Sequence, residues 1–171
     1  MQNDFLAENA PLKCEGGKEI IPNVVRAIDM ARAKSIPVIH VIQEHRQDMS
    51  DFGLELECSK PHCIEGTEGA KIIQEIKVDP KDYLVIKKRF SSFLNTELDL
   101  LLRGLGVKEV ILTGVATDGC IRATAVDAHQ LGYYFKIVEE STAGAFSDSH
   151  EAALKYMCRL QKDVLIKIEE I

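Results

Sequence analysis

No apolar run in this chain approaches the ~20 residues needed to cross a bilayer; the longest, such as Val110 to Ala116, fall far short. No basic-then-apolar leader opens the sequence either, so the expected compartment is the cytoplasm. Positive charge is in short supply: 21 Lys and Arg stand against 27 Asp and Glu, a formal net charge of −6. A surface of that sign repels phosphate backbones and anionic headgroups, which argues against nucleic acid and membranes as partners. The five cysteines form an odd set without a C-x-x-C pair. That excludes a disulfide framework and leaves at least one thiol free for chemistry. Internal repeats and low-complexity tracts are also missing.

With 171 residues, 46% hydrophobic and 28% charged, the chain has the size and composition of one folded domain spanning residues 1–171. Short β-rich runs alternate with longer segments of helical period. Residues 36–42, 83–86, 107–113, 133–138 and 164–168 read as strands, the middle one apolar enough for burial on both faces. Ile20, Val24, Val25, Ile28 and Ala31 share a helical face, as do Leu98, Leu101, Leu102 and Leu105, and then Ala152, Leu154 and Met157. Such alternation predicts an α/β fold, a mostly parallel sheet between helical layers, with ligands bound beyond the carboxyl ends of the strands. The segment 43–69 is rich in His, Asp, Cys and Gly and has little periodicity, which makes it a candidate active-site loop. Met1-Gln-Asn-Asp-Phe5 reads as a loop leaving a strand end, and the first strand itself is expected outside these residues.

In Gly114-Val-Ala-Thr-Asp-Gly-Cys120 and the residues that follow to Gly132, Thr117 is a plausible N-cap and Gly132 a plausible stop. Cys120 then lies in the first helical turn, where the positive end of the macrodipole favours an anionic, nucleophilic sulfur. The loop before it can aim backbone N–H groups at one oxygen, as acyl transfer requires. A small buried core thiol is the competing reading. Lys87-Lys-Arg-Phe-Ser-Ser-Phe93 follows a strand, so Lys87 and Lys88 are both candidates for a cation beside Cys120; a solvated basic patch is the alternative.

Taken in order, Met1-Gln-Asn-Asp-Phe5, Lys87-Lys-Arg-Phe-Ser-Ser-Phe93 and Gly114-Val-Ala-Thr-Asp-Gly-Cys120, followed by Thr124, Ala125 and Ala128, resemble the isochorismatase-like cysteine hydrolase superfamily over nearly the whole chain. The resemblance implies a Rossmann-like three-layer sandwich with a six-stranded parallel sheet, a homo-oligomer, and an Asp-Lys-Cys triad acting on a small-molecule substrate. By position, Cys120 resembles the nucleophile. Lys87 resembles the triad lysine, because it stands three residues before the aromatic of K-x-x-[YF]-S-x-F. A cis peptide is implied at Val115-Ala116, and an oxyanion hole at the N–H groups of Ala116 and Cys120. The triad Asp is expected directly before Met1, outside residues 1–171, with Asp4 as the one nearby carboxylate that could stand in.

Lys60-Pro-His-Cys-Ile-Glu-Gly-Thr-Glu-Gly-Ala70 is similar to the P-H-C-x-x-G-T-x-G-A segment of nicotinamidases, whose His joins an upstream D-x-H-x5-H set around a divalent ion. His62 and His45 match that set, with Gln43 in place of its Asp and Asp51 in place of its second His. One carboxylate and two imidazoles can hold a metal such as zinc; local hydrogen bonding of the histidines is the alternative, and no cofactor is required. His40 is expected to be a satisfied core histidine, and His129 and His150 to lie on the surface. The resulting expectation is a cysteine hydrolase cleaving a C–N bond of a small amide or carbamoyl compound through a thioester. A metal-dependent nicotinamidase, an isochorismatase-type vinyl ether hydrolase and a catalytically inactive binding module stay open as alternatives.

Overall fold

The computed structural model describes residues 1–171. In chain order the elements are helix α1 (Asn3–Leu6), α2 (Ile21–Ala33), β1 (Ile39–Gln43), β2 (Tyr83–Lys87), α3 (Leu98–Gly104), β3 (Glu109–Val115), α4 (Arg122–Gln130), β4 (Tyr134–Ala143), α5 (Ser147–Met157) and β5 (Leu165–Ile166). A wide turn over Thr117–Ile121 leads into α4, and short 3-10 segments occupy Gly53–Glu57 and Ile168–Glu170. Every ladder is parallel, as the strand–helix alternation predicts. No helix is long and apolar enough to cross a membrane.

Local chemistry explains the helix ends. Pro22 sits in the first turn of α2, where its missing N–H is not needed. That helix ends with Ser35 in the left-handed region at φ 58°, and the Ile36 N–H reaches back to the Ala31 carbonyl at 2.9 Å. The end of α4 repeats the device with Gly132 at φ 84°. Its N–H donates to His129 at 3.1 Å and that of Tyr133 to Ala128 at 2.9 Å, a Schellman closure. The start of α4 differs from expectation: Ala116, without a side-chain cap, precedes the wide turn. Thr117 is instead fully buried, and its hydroxyl meets His150 Nδ1 at 2.9 Å.

Three layers result. On one side of the strands, Val85, Phe135 and Ile137 pack with Leu102, Ala125 and Met157 of α3, α4 and α5. On the other, Ala27 of α2 packs with Val138, Ile168 and Ile171. The single six-stranded sheet implied by the resemblance is not what is seen. The strands form a two-stranded sheet, β1-β2, and a three-stranded sheet, β3-β4-β5. Between them runs a slot of about 470 Å³, walled by consecutive residues of β1 and β3 such as Ile39, Val41, Val110 and Leu112, with Met1, Lys87 and Cys120 also lining it.

Register places the site. Pairing of Ile39 with Tyr83 brings Gln43 opposite Lys87 at the carboxyl edge. In the other sheet the ladder shifts between Leu112 and Gly114; Gly114 has φ 103°, a conformation that costs glycine nothing. The ladder resumes after the kink, with Val115 opposite Ala143, and the chain then enters the turn that carries Cys120.

Asp82 anchors β1 and β2 to α2. Its carboxylate accepts hydrogen bonds from Arg32 and the Asp79 N–H and meets His40 Nε2 at 2.8 Å, so His40 is a satisfied core histidine. Burial alone would raise the Asp82 pKa, but these donors outweigh it and hold the group at about 2 instead of 3.8. A depressed carboxylate stabilises the fold above its unfolded pKa, and that contribution disappears as pH falls through the folded value. Asp82→Asn is therefore expected to lose about 2 kcal/mol at pH 7. Urea titrations of the two proteins should converge as pH falls from about 4 towards 2.

Candidate active site

Lys87 ends β2 and is buried at 4% exposure. Its ammonium has three hydrogens and no lone pair, and three acceptors surround it. Nζ donates to Cys120 Sγ at 3.2 Å, to Gln43 Oε1 at 3.0 Å and to the Arg89 carbonyl at 2.8 Å. No carboxylate is among them. Lys88, the other candidate, points away: it donates to the Glu44 carbonyl and pairs with Asp51 at 3.3 Å. The Lys87 loop is tied to α4 by the Ser92 N–H, which donates to Thr124 Oγ1 at 3.0 Å, and by Thr124 Oγ1 to Ser92 Oγ at the same distance.

Cys120 lies in the wide turn and is half-buried. The turn is pinned from outside by Asp118, which accepts hydrogen bonds from the Ala145 N–H at 3.0 Å and from the Ser149 hydroxyl. His150 holds Thr117 from the same helix, α5, so it is part of this scaffold and not the surface residue expected. The Val115–Ala116 peptide bond is cis. The Ala116 N–H has no acceptor within the protein, while the Ala116 carbonyl takes the N–H groups of Gly119 and Ile121. Cys120 and Ala116 thus flank the end of β3 where Lys87 arrives from β2.

Asp4 is engaged elsewhere. It accepts the Cys63 N–H at 2.6 Å and packs against Gly69 so closely that no side chain fits there. It shapes the 63–69 loop, and no contact joins it to Lys87 or Cys120. Gln2 was not singled out by sequence, yet it is buried at 2% exposure. Its amide accepts the Gln43 N–H at 2.8 Å and donates to the Gln43 carbonyl at 2.7 Å, so a side chain occupies the slot-facing edge of β1. No pattern in the sequence marks it for that role.

Behind Lys87 lies the histidine pair. His45 and His62 are fully buried or nearly so, and Phe52 stacks on His45 with ring centroids 3.7 Å apart. Their Nε2 atoms converge on one point, and the third donor near them is Glu55, whose Oε1 is 3.4 Å from His62 Nε2. Asp51, the expected carboxylate, is corrected: it meets the opposite ring nitrogen, His45 Nδ1, at 3.2 Å and cannot share the focus. Glu55 sits in the aperiodic loop, where no spacing rule could find it. Burial is the largest influence on both rings. It lowers the His45 pKa despite Asp51, whereas for His62 it is outweighed by Glu55 and the Lys60 carbonyl, and the pKa is raised.

Two imidazoles and a carboxylate suit a divalent ion by donor type. Their arrangement does not fit one, because the Gln43 amide fills the focus: Nε2 lies 2.9 Å from His45 Nε2 and 3.0 Å from His62 Nε2.

A parallel α/β frame here brings a thiol, a buried ammonium and a backbone N–H without a protein acceptor to one strand edge. The chain belongs to the isochorismatase family: the Isochorismatase domain model matches residues 1–166. It is similar to two Arabidopsis thaliana proteins, each 36% identical. One is a probable inactive nicotinamidase, matched over 89% of this chain and 81% of its own length; the other is Nicotinamidase 3, matched over 90% and 75%. Among solved structures it resembles the zinc complex of a Pyrococcus horikoshii pyrazinamidase, with a TM-score of 0.88 and 28% identity over 98% of this chain and 94% of that one.

Thiol reactivity follows from these environments. Burial pushes Cys14 and Cys63 up to about 12, while Cys58 and Cys158 are exposed without a cation partner. Iodoacetamide near pH 7 is expected to alkylate Cys120 first, as mass spectrometry of timed digests will show. Labelling of Cys120 no faster than that of Cys158 would remove the nucleophile assignment.

Proposed function

We propose that this protein is a cysteine amidohydrolase acting on a small amide or carbamoyl compound. The observation that carries the reading is the 3.2 Å contact of Lys87 Nζ with Cys120 Sγ. In the proposed sequence the thiol proton passes to a base and Cys120 sulfur bonds to the substrate carbonyl carbon. The resulting oxyanion is held by the N–H groups of Ala116 and Cys120, with Lys87 balancing charge. The C–N bond breaks as the nitrogen takes the proton, and ammonia or an amine leaves. Water then attacks the thioester as the base takes one of its protons, the C–S bond breaks, the sulfur takes that proton back and the acid departs.

The base in this scheme is a carboxylate at the end of a strand filling the slot between β1 and β3, immediately before Met1. Three features support this: the unpaired edges that face each other, the apolar lining, and the arrival of Met1, Lys87 and Cys120 at one cavity. Such a strand would complete the six-stranded sheet. A second reading, a binding module without turnover, is favoured by one observation: all three hydrogen bonds of Lys87 go to neutral groups or sulfur.

Ammonia release from a panel of small amides, ureas and carbamoyl compounds separates the two. A form extended at Met1 by a β-branched strand ending in Asp is expected to melt higher and to turn over at least one of them. Within that form Lys87→Ala should lose roughly a hundredfold or more in kcat/KM, whereas Lys88→Ala should stay within a few-fold. A greater loss at Lys88, or no turnover by the extended form, would favour the binding module.

A further inference from the structure

We propose that Gln43 takes the place of a metal ion in this protein and is a positioning residue for Lys87. The hydrogen-bond directions leave little freedom. Lys87 can only donate, so the amide oxygen of Gln43 must face it, as the 3.0 Å contact has it. The amide nitrogen then faces the two imidazoles. On their far sides, His62 Nδ1 meets the Lys60 carbonyl at 2.8 Å and His45 Nδ1 meets the Asp51 carboxylate. Both of those groups accept only, which makes both Nδ1 atoms donors, and in the neutral form of each ring Nε2 is then the acceptor that the Gln43 amide meets; Glu55, 3.4 Å from His62 Nε2, favours the charged form of that ring instead. The two Nε2 lone pairs are the ones a divalent ion needs, and the two hydrogens of one amide use them.

Metal binding and the Gln43–Lys87 bond are therefore exclusive. Turning the amide to offer its oxygen to an ion would set its NH₂ against the Lys87 ammonium, donor against donor, in a buried site. In the arrangement present, every polar hydrogen of Gln43 and Lys87 has an acceptor. The circuit also runs in one electrical direction: Asp51 carboxylate, His45, Gln43 amide, Lys87 ammonium, Cys120 sulfur. As far as Lys87 each group accepts from the next, His45 donating to Asp51, Gln43 to His45 and Lys87 to Gln43, which strengthens the bond that follows, and Lys87 donates separately to Cys120 Sγ. A buried cation without a carboxylate contact thereby receives an oxygen polarised by one two residues along the chain of bonds. Glu55 stands beside His62 with Oε1 buried and unpartnered by hydrogen bonding, close enough to join a metal once the amide is removed.

This inference rests on the reading of Cys120 and Lys87 as the reactive pair only in its positioning half; the metal half is read without turnover. Zn²⁺ titrated by calorimetry into the full chain, with Cys120 and the exposed Cys58 and Cys158 blocked, is expected to show no tight site in the wild type. Gln43→Asp is expected to bind one equivalent at least a hundredfold tighter, lost again when His62→Ala is added. Sub-micromolar, His62-dependent Zn²⁺ binding by the unmutated chain would overturn the substitution. For the positioning half, with thiols free, Gln43→Leu should move the pH profile of Cys120 alkylation towards higher pH and slow it several-fold at pH 7, at unchanged far-ultraviolet circular dichroism. An unaltered profile in folded Gln43→Leu would show that Gln43 fills space and does not position Lys87.

Discussion

A buried ammonium with three hydrogens demands three acceptors, and meeting that demand for Lys87 organises the site. An unsatisfied buried charge costs several kcal/mol, so each acceptor is under strong constraint. Gln43 Oε1 fixes the register of β1 against β2, the Arg89 carbonyl requires the chain to fold back directly after β2, and Cys120 Sγ fixes where the turn after β3 must end. Moving any one element breaks a bond that water cannot replace at 4% exposure. The ties that do not touch Lys87, from Ser92 to Thr124 and from Asp118 to the start of α5, hold those elements at the spacing the ammonium needs.

The site is assembled from both sheets. β1 and β2 bring Lys87 and Gln43, whereas β3 and the turn bring Cys120, so the reactive pair spans two sheets that share no ladder. Helices on both faces and the Lys87 contact itself connect the halves, with the slot between them. A strand edge on each side offers unpaired N–H and C=O groups, and such edges bind other strands readily. Gln2 satisfies one position of the β1 edge with its side-chain amide.

Placing an amide between two imidazoles changes what the histidines are for. With an ion at their focus they would be ligands; with Gln43 there they are hydrogen-bond acceptors that aim an amide oxygen at a lysine. Both uses require the same ring orientation and the same Nδ1 partners, the Lys60 carbonyl and Asp51. The choice between them rests on one side chain. This is why the P-H-C-x-x-G-T segment and His45 point towards a metal centre while the geometry around Gln43 does not fit one.

Features that depend on neighbours a few residues apart were legible in the sequence. The alternation of strands and helices, the Gly132 stop and the place of Cys120 at the head of a helical segment all follow from periods of two and 3.6 residues and from local backbone preferences. The residues alone left Lys87 and Lys88 both open, and the resemblance to the family's K-x-x-[YF]-S-x-F pattern chose Lys87. What the sequence by itself could not decide are the contacts across the fold. Lys87 and Gln43 are 44 residues apart, Lys87 and Cys120 33, and Gln2 and Gln43 41; their meeting depends on strand register and loop path, which no local pattern encodes. For that reason Asp51 and Glu55 exchanged places around the histidines, His150 moved from the surface to the scaffold of the turn, and Gln43 became a bridge to Lys87 where its position had suggested a ligand. The residue types were set by the sequence, but which of their hydrogens and lone pairs face each other was decided only when the layers packed.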